Sequence, residues 1–281
     1  ALPDALICAN DAMALTAIGE FTQHGIRILD MDENGGISYV VYGYMNKGDH
    51  EGYNGINLYH YDAKDETSLE QFFIAMKKPY PILEAAFTEL LYKSSGGKFY
   101  ICVDGSLTGV NANTGEEVSI LSGLEKAQYS VSASGRYIAW IDEEGASSKL
   151  NVMDLEDESR FTLSREGNLL RPLAFIDDDL IVGYVNEGDI GYDGAGDVIY
   201  PCYECEIRSA ANEDGEIKKT YSVNGIYVTG VEANTYMATL TRMVREDGIY
   251  KNTDVDKCID IALNQFFMDG VLSDLFQNSL K

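Results

Sequence analysis

Apolar and polar residues alternate along most of the chain in short runs separated by polar turns. From Ile26 onward the period is two, the spacing that sends successive side chains to opposite faces of a strand. Five runs are apolar and aromatic: ISYVVYGYM (37–45), KFYICVDG (98–105), RYIAWIDE (136–143), DLIVGYVNE (179–187) and TYMATLTRM (235–243). After each of the first four comes a second strand that ends in an acidic or Asn-rich turn: INLYHYDAKDET, SLTGVNANTGEE, KLNVMDLEDESR and CYECEIRSAANEDGE. A third short strand then follows, as LEQFFIAM, VSILS, FTLS or IKKTYSV. A single twisted sheet covers only part of its own apolar surface, so strand groups recurring at roughly 40 residues predict stacked sheets of the propeller kind. The expected fold is mainly β, a propeller-like array of four to five antiparallel blades across 29–257, with ring closure left open.

Three segments depart from that period. PDALICAN reads as a short strand, after which Asn10 or Asp11 caps an amphipathic helix, AMALTAIGEFTQHG, that stops at Gly25. KPYPILEAAFTELLYKSSGGK (78–98) predicts a helix near 81–93, with Pro81 in its first turn and Ile82, Leu83, Ala86, Phe87, Leu90 and Leu91 on one face. The tail CIDIALNQFFMDGVLSDLFQNSLK (258–281) also reads as helix. The expected organisation is a strand–helix segment (1–28), the β domain (29–257) and a helical tail (258–281). NEGDIGYDGAGDVIYP (186–201) reads as a solvated, flexible insertion.

SVSASGRYIAWIDEEGASSKLNVMDLEDESRFTL resembles a blade of the TolB-type, WD40-like propellers. Ser132 to Gly135 match the turn, Ile138 to Trp140 the Ile-Ala-aromatic strand, and Val152 to Asp154 the strand ending in an aspartate turn. PDALICANDAMALTAIGEFTQHGI resembles the late strand–helix unit of LacI-type, periplasmic-binding-like sugar receptors. The resemblance implies that Asn10 and Asp11 stand at the mouth of a ligand cleft, but it covers only about a tenth of the chain. YGYMNKGDHEGYNGINLYHYD (42–62) resembles the opening part of propeller-like cell-envelope proteins of clostridial bacteria, whose role is unknown. That likeness implies an extracellular or envelope-associated location.

Charge narrows the partners. With 46 acidic and 21 basic residues the net charge is −25, and no window gathers the cations into a stripe. A phosphate backbone would be repelled, which argues against nucleic acid. No stretch nears the ~18 continuous apolar residues of a membrane-spanning helix, so any anchor is expected outside this sequence. The opening ALPDALICAND lacks Met, as expected of a mature protein or a fragment. Five cysteines at irregular spacing give no disulfide framework. Strict alternation would put Cys202 and Cys205 of the CxxC on opposite faces of a strand. With His24, His50 and His60 scattered, a zinc site is not expected.

Two kinds of constellation offer chemistry. Tyr42, Tyr44, Tyr53, Tyr59 and Tyr61 surround a Gly-rich loop carrying Asp49, His50 and Glu51, a set suited to stacking on and hydrogen-bonding a sugar or peptide, or to ordinary packing. Asp30, Asp32 and Asn34, followed by Gly35, begin like an EF-hand loop. Its twelfth position is Val41 rather than the bidentate Glu, and its flanks are strand-like, so a hairpin is the better reading and any calcium contact weak. Asp189, Asp193 and Asp197 are a second weak calcium set. No nucleophile elbow or phosphate loop occurs. The expected function is a non-catalytic binding module with a protein or glycan partner and no cofactor. The alternatives are a sugar-sensing fragment and a glycosidase using paired carboxylates.

Overall fold

The computed structural model describes residues 26–75, 90–103, 105–111, 114–212, 215–234 and 237–253. The helices expected at the N-terminus, over most of 81–93 and in the C-terminal tail lie outside these residues. Among the described residues there is no α-helix, only the 3₁₀ turns Lys126–Gln128 and Glu187–Asp189. The chain divides between Ser122 and Gly123 into two compact units.

Unit 1 holds two antiparallel four-stranded sheets, each built in chain order. The first comprises β1 (Ile26–Met31), β2 (Ile37–Tyr44), β3 (Asn54–Asp62) and β4 (Thr67–Ala75). The second comprises β5 (Leu91–Lys93), β6 (Lys98–Val103), β7 (Ser106–Asn111) and β8 (Glu117–Leu121). β1 starts at Ile26 and so runs across the 28/29 boundary expected from sequence. Residues 91–93, expected to close a helix, form a strand instead. Leu91, Tyr92 and Lys93 pair with Ile101, Tyr100 and Phe99 across a tight Ser94–Gly97 turn. The pairing is favoured because it buries Leu91 against Phe99 and Ile101. The unit's core is formed by one face of each sheet, with Val40, Tyr42, Ile56, Leu58 and Phe72 meeting Leu91, Phe99, Ile101 and Val110.

The hairpin reading of DMDENGGISYVV holds, by a different turn than expected. Only Gly35 (φ +82°) takes a positive φ, and the loop is closed by the Asp32 side chain. Its Oδ1 accepts the N–H groups of Asn34 and Gly36, both at 2.8 Å, as an Asx turn does.

Unit 2 continues the repeat. β9 (Tyr129–Val131), β10 (Tyr137–Trp140), β11 (Leu150–Asp154) and β12 (Arg160–Leu163) form a third four-stranded meander. The Ser132–Gly135 turn and the Ile138–Trp140 strand fall where the TolB-type resemblance put them. A fourth meander starts with β13 (Leu169–Ile176) and β14 (Asp179–Val185). The chain then detours through β15 (Gly191–Asp193) and β16 (Val198–Ile199) before returning as β17 (Cys202–Ser209) and β18 (Ile217–Tyr221). β19 (Tyr227–Ala233), β20 (Ala238–Glu246) and β21 (Ile249–Asn252) extend it, joined to β17 through the Cys202–Val228 pair. The segment 186–201 is therefore not the flexible loop expected. β15 and β16 form a hairpin, and β15 pairs in parallel with β21.

Two cores hold unit 2. Tyr137, Ala139, Leu150 and Val152 pack on Leu180, Val182 and Tyr184, while the other face of the fourth meander packs Ile181, Val185 and Ile207 with Val228 and Leu240.

Candidate functional site

The loop between β2 and β3 is a built structure. The N–H of Met45 donates to the carbonyl of Tyr53 at 2.8 Å, Gly52 to Met45 at 2.9 Å, and Tyr53 to His50 at 3.2 Å. Gly48 and Gly52, at φ +83° and +93°, make turns that a side chain would strain. From this loop His50 folds back onto the sheet. Its ring stacks on Phe73 with centroids 3.9 Å apart, and its Nε2 lies 2.8 Å from Glu70 Oε1. The other Glu70 oxygen accepts a 2.7 Å bond from Asn57 Nδ2, which also donates to the Tyr59 hydroxyl at 3.0 Å. The Tyr59 ring in turn stacks on Tyr39 at 5.3 Å.

Strand register assembles this chain of contacts. The rows Val41–Asn57–Phe73 and Tyr39–Tyr59–Glu70 run across β2, β3 and β4 on the face opposite the unit's core. Asn57 is only 2% exposed, and its Oδ1 is buried without a hydrogen-bond partner. Burial works to raise the Glu70 carboxyl, but the donors Asn57 and His50 outweigh it and hold the group below its ordinary value. The Tyr59 phenol is raised, first by burial and then by the Glu70 charge.

The residues singled out from sequence separate into distinct settings. Tyr42 is a core side chain at 5% exposure and is not available to a ligand. Tyr44, the last residue of β2, and Tyr53, in the loop that follows, are exposed at 62% and 58%, and Asp49 and Glu51 of the loop are exposed as well. Asn10 and Asp11 lie outside the described residues. Glu70, Asn57 and Phe73, which fix His50, were not legible as site residues, because only register brings them under the loop.

Of the aspartates considered for calcium, Asp32, Asp189 and Asp193 have their carboxylates engaged by other partners. Asp30 pairs with Ser38 in the β1–β2 ladder, Asp32 caps its own hairpin, and Asn34 is exposed at the tip. Asp193 Oδ1 accepts the N–H groups of Ala195 and Asp197, while Asp189 takes Asn186 and faces Arg245 at 3.8 Å. Among the described residues no three His, Cys, Asp or Glu side chains converge as metal ligands.

Asp32, His60 and Ser38 follow one another in the order of a hydrolase triad, with 3.9 Å from Asp32 to His60 and 3.2 Å from His60 to Ser38. Ser38 is fully buried and its hydroxyl accepts from Lys93 Nζ at 2.9 Å, so it is a joint between two sheets and not an accessible nucleophile.

Unit 2 carries a second polar cluster. Arg165 spans Glu204 and Glu206, each at 2.5 Å, with its guanidinium 3.5 Å over the Tyr184 ring. The Tyr184 hydroxyl and Arg208 donate to the other Glu206 oxygen at 2.7 and 2.8 Å. Burial, then the bond to Glu206, push the Tyr184 phenol up to about 12. Both carboxylates are thus engaged by guanidinium groups. An open cleft of roughly 520 Å³ adjoins the cluster, lined by Lys149, Ser164, Arg165, Asn168 and Glu187 among others.

The two CxxC thiols are on one face, not two. β17 bulges opposite the Tyr184–Val185 step, so that Tyr184 pairs with Glu204 and Val185 with Cys202. The extra residue resets the alternation, and Cys202 and Cys205 both enter the same core.

No protein-family model matches the chain, and neither does any curated protein. Among solved structures the chain is similar to the Pan2 WD40 domain of Neurospora crassa at 10% identity and TM-score 0.31, covering 83% of this chain and 58% of that one. It is similar to the tricorn protease at 12% identity and TM-score 0.36, covering 78% of this chain and 23% of that one. A chain of a mitotic checkpoint complex gives 13% identity and TM-score 0.32, with 80% and 67% covered.

Proposed function

We propose that this chain is a non-catalytic interaction module built from propeller-type blades, and that a protein partner docks on the loop between β2 and β3. The observation that carries the reading is Tyr44 and Tyr53, two large aromatic side chains held in solvent at the end of β2 and in the loop that His50 ties to the sheet. Exposed aromatic groups on an ordered loop bury much area at little entropic cost when a partner arrives. Four consecutive four-stranded meanders support the blade reading. The acidic composition and the envelope-protein resemblance support an extracellular or cell-envelope location.

The test compares the wild-type chain with a Tyr44→Ser/Tyr53→Ser variant as baits in affinity capture. A partner retained by the first and released by the second, with melting temperature unchanged, supports the proposal. Equal retention by both would sink the docking site. Hydrolysis of a glycan or peptide panel would overturn the non-catalytic reading.

A further inference from the structure

The segment 186–201 builds an exposed surface of its own. In β15–β16 Tyr192 pairs with Val198, and in the parallel β15–β21 ladder Tyr192 pairs with Ile249. Directly paired residues point to the same side. Val198, Tyr192 and Ile249 therefore form one row across three strands, exposed at 49%, 60% and 41%.

The row is rigidly supported from behind. Tyr250 is 1% exposed, packs edge-on against Tyr227 with centroids 5.4 Å apart, and its hydroxyl donates to the Asp189 carbonyl at 2.6 Å. A Cβ on Gly191 would come within 3.0 Å of the Tyr250 ring, so the hairpin sits directly on that ring. Asp193 Oδ1 closes the hairpin tip.

Around the row acidic groups outnumber basic ones. Segment 186–201 carries Glu187, Asp189, Asp193 and Asp197 and no Lys or Arg. On the far side Glu246 pairs with Ile249, so it shares the row's face, and Asp247 follows in the turn. Arg245 faces Asp189, and Lys251 is bonded to Glu246 at 3.0 Å.

We propose that this row is a docking surface for a cationic amphipathic segment of a partner protein, in which Lys or Arg alternates with apolar residues. The apolar positions cover Tyr192, Val198 and Ile249, and the cations meet the acidic rim. Complementary charge would speed encounter and fix register. A second copy of this chain is a poor occupant, since each copy carries −25. The surface belongs to unit 2 and the β2–β3 loop to unit 1, and this proposal extends the interaction reading without depending on it.

The experiment uses the full chain and a fluorescein-labelled peptide of about twelve residues alternating Lys and Leu, read by anisotropy. Two controls keep its length, one alternating Lys and Ser, the other Glu and Leu. The Lys/Leu peptide is expected to bind roughly tenfold or more tighter than either control, and to weaken as salt rises. Tyr192→Ser/Ile249→Ser should lose roughly tenfold in affinity at unchanged melting temperature. The surface variant Asp197→Lys/Glu246→Lys, which leaves the apolar row intact, should lose the salt dependence. Tyr44→Ser/Tyr53→Ser should bind as wild type, which separates this proposal from the loop site. Equal affinity for the Lys/Ser peptide, or undiminished binding by Tyr192→Ser/Ile249→Ser, would overturn it. So would sedimentation showing a dimer that Tyr192→Ser/Ile249→Ser dissociates.

Discussion

The polar clusters of the two units each join a glutamate to a tyrosine-bearing network, and they do so in opposite ways. In unit 1 a carboxylate, an imidazole, an amide and a phenol are strung across the solvent-side face of a sheet, with Glu70 and His50 at 39% and 28% side-chain exposure. In unit 2 two carboxylates, two guanidinium groups and a phenol close on one another, with Glu206 at 4%. The first ties a loop to its sheet and leaves the loop's aromatic groups in water. The second leaves little unsatisfied and staples β17 to β14 and to Arg165 beyond β12. Exposure decides the energetics. Solvent-screened pairs are worth little in net terms, whereas removing one member of a buried network strands the others.

The largest expected effect follows from that asymmetry. Glu206→Ala strips Arg165, Arg208 and Tyr184 of their shared acceptor and should cost about 3–5 kcal/mol, read by urea unfolding. Trp140 is the chain's single tryptophan and lies in unit 2, so its emission follows this unit selectively. Survival of Glu206→Ala within about 1 kcal/mol of wild type would place the cluster with the unit 1 type.

Next is the alkaline limit. Tyr184 and Tyr250 are both raised to about 12, so the stability they contribute is fully present below the ordinary phenol value and is lost as pH rises through about 12. Unit 2 should lose stability between pH 10 and 12 by Trp140 emission. Tyr184→Phe should flatten part of that decline, and should cost about 1–2 kcal/mol at neutral pH for the lost bond to Glu206.

Unit 1 should respond at the other end of the scale, and more weakly. The Glu70 carboxyl is held below its ordinary value, so its contribution is present above that value and is lost as pH falls through the depressed one. Protection factors of the 45–53 amides, taken against the intrinsic exchange rate at each pH, should fall on acidification from pH 6 to 3, and Glu70→Gln should already show lower protection at pH 6. The smallest effect belongs to His50→Ala, which should leave global stability within about 0.5 kcal/mol while speeding exchange in the same loop. An equal loss of global stability would mean that the loop anchor is part of the fold.

Period-two alternation was enough to find the second, third and fourth strands of each meander, but not the first of every one. β5 and β9 are three residues long, too short to show a period, and LYK follows an apolar run whose spacing is helical. β13 contains Pro172, which reads as a strand breaker. It is tolerated because, apart from an isolated Ser147–Leu170 bridge, β13 has a partner strand on one side only, and a register shift follows at Leu173. One inserted residue in β17 was enough to reverse the facing of a cysteine. The loop's aromatic groups were legible from composition alone, whereas Asn57 and Glu70 needed three strands in register.

The parallel ladder between β15 and β21 also constrains the order in which the chain can be assembled. Strand pairs made by neighbouring segments close as soon as both have been synthesised, but Tyr192 must wait for Ile249. Until then the β15–β16 hairpin is an isolated two-stranded ribbon, marginal in water, with the inner face that will rest on Tyr250 uncovered. Contacts of such long sequence separation are slow to form and leave apolar surface open to aggregation in the meantime. Translation of β21, rather than of the hairpin itself, is the step that seals this part of the molecule.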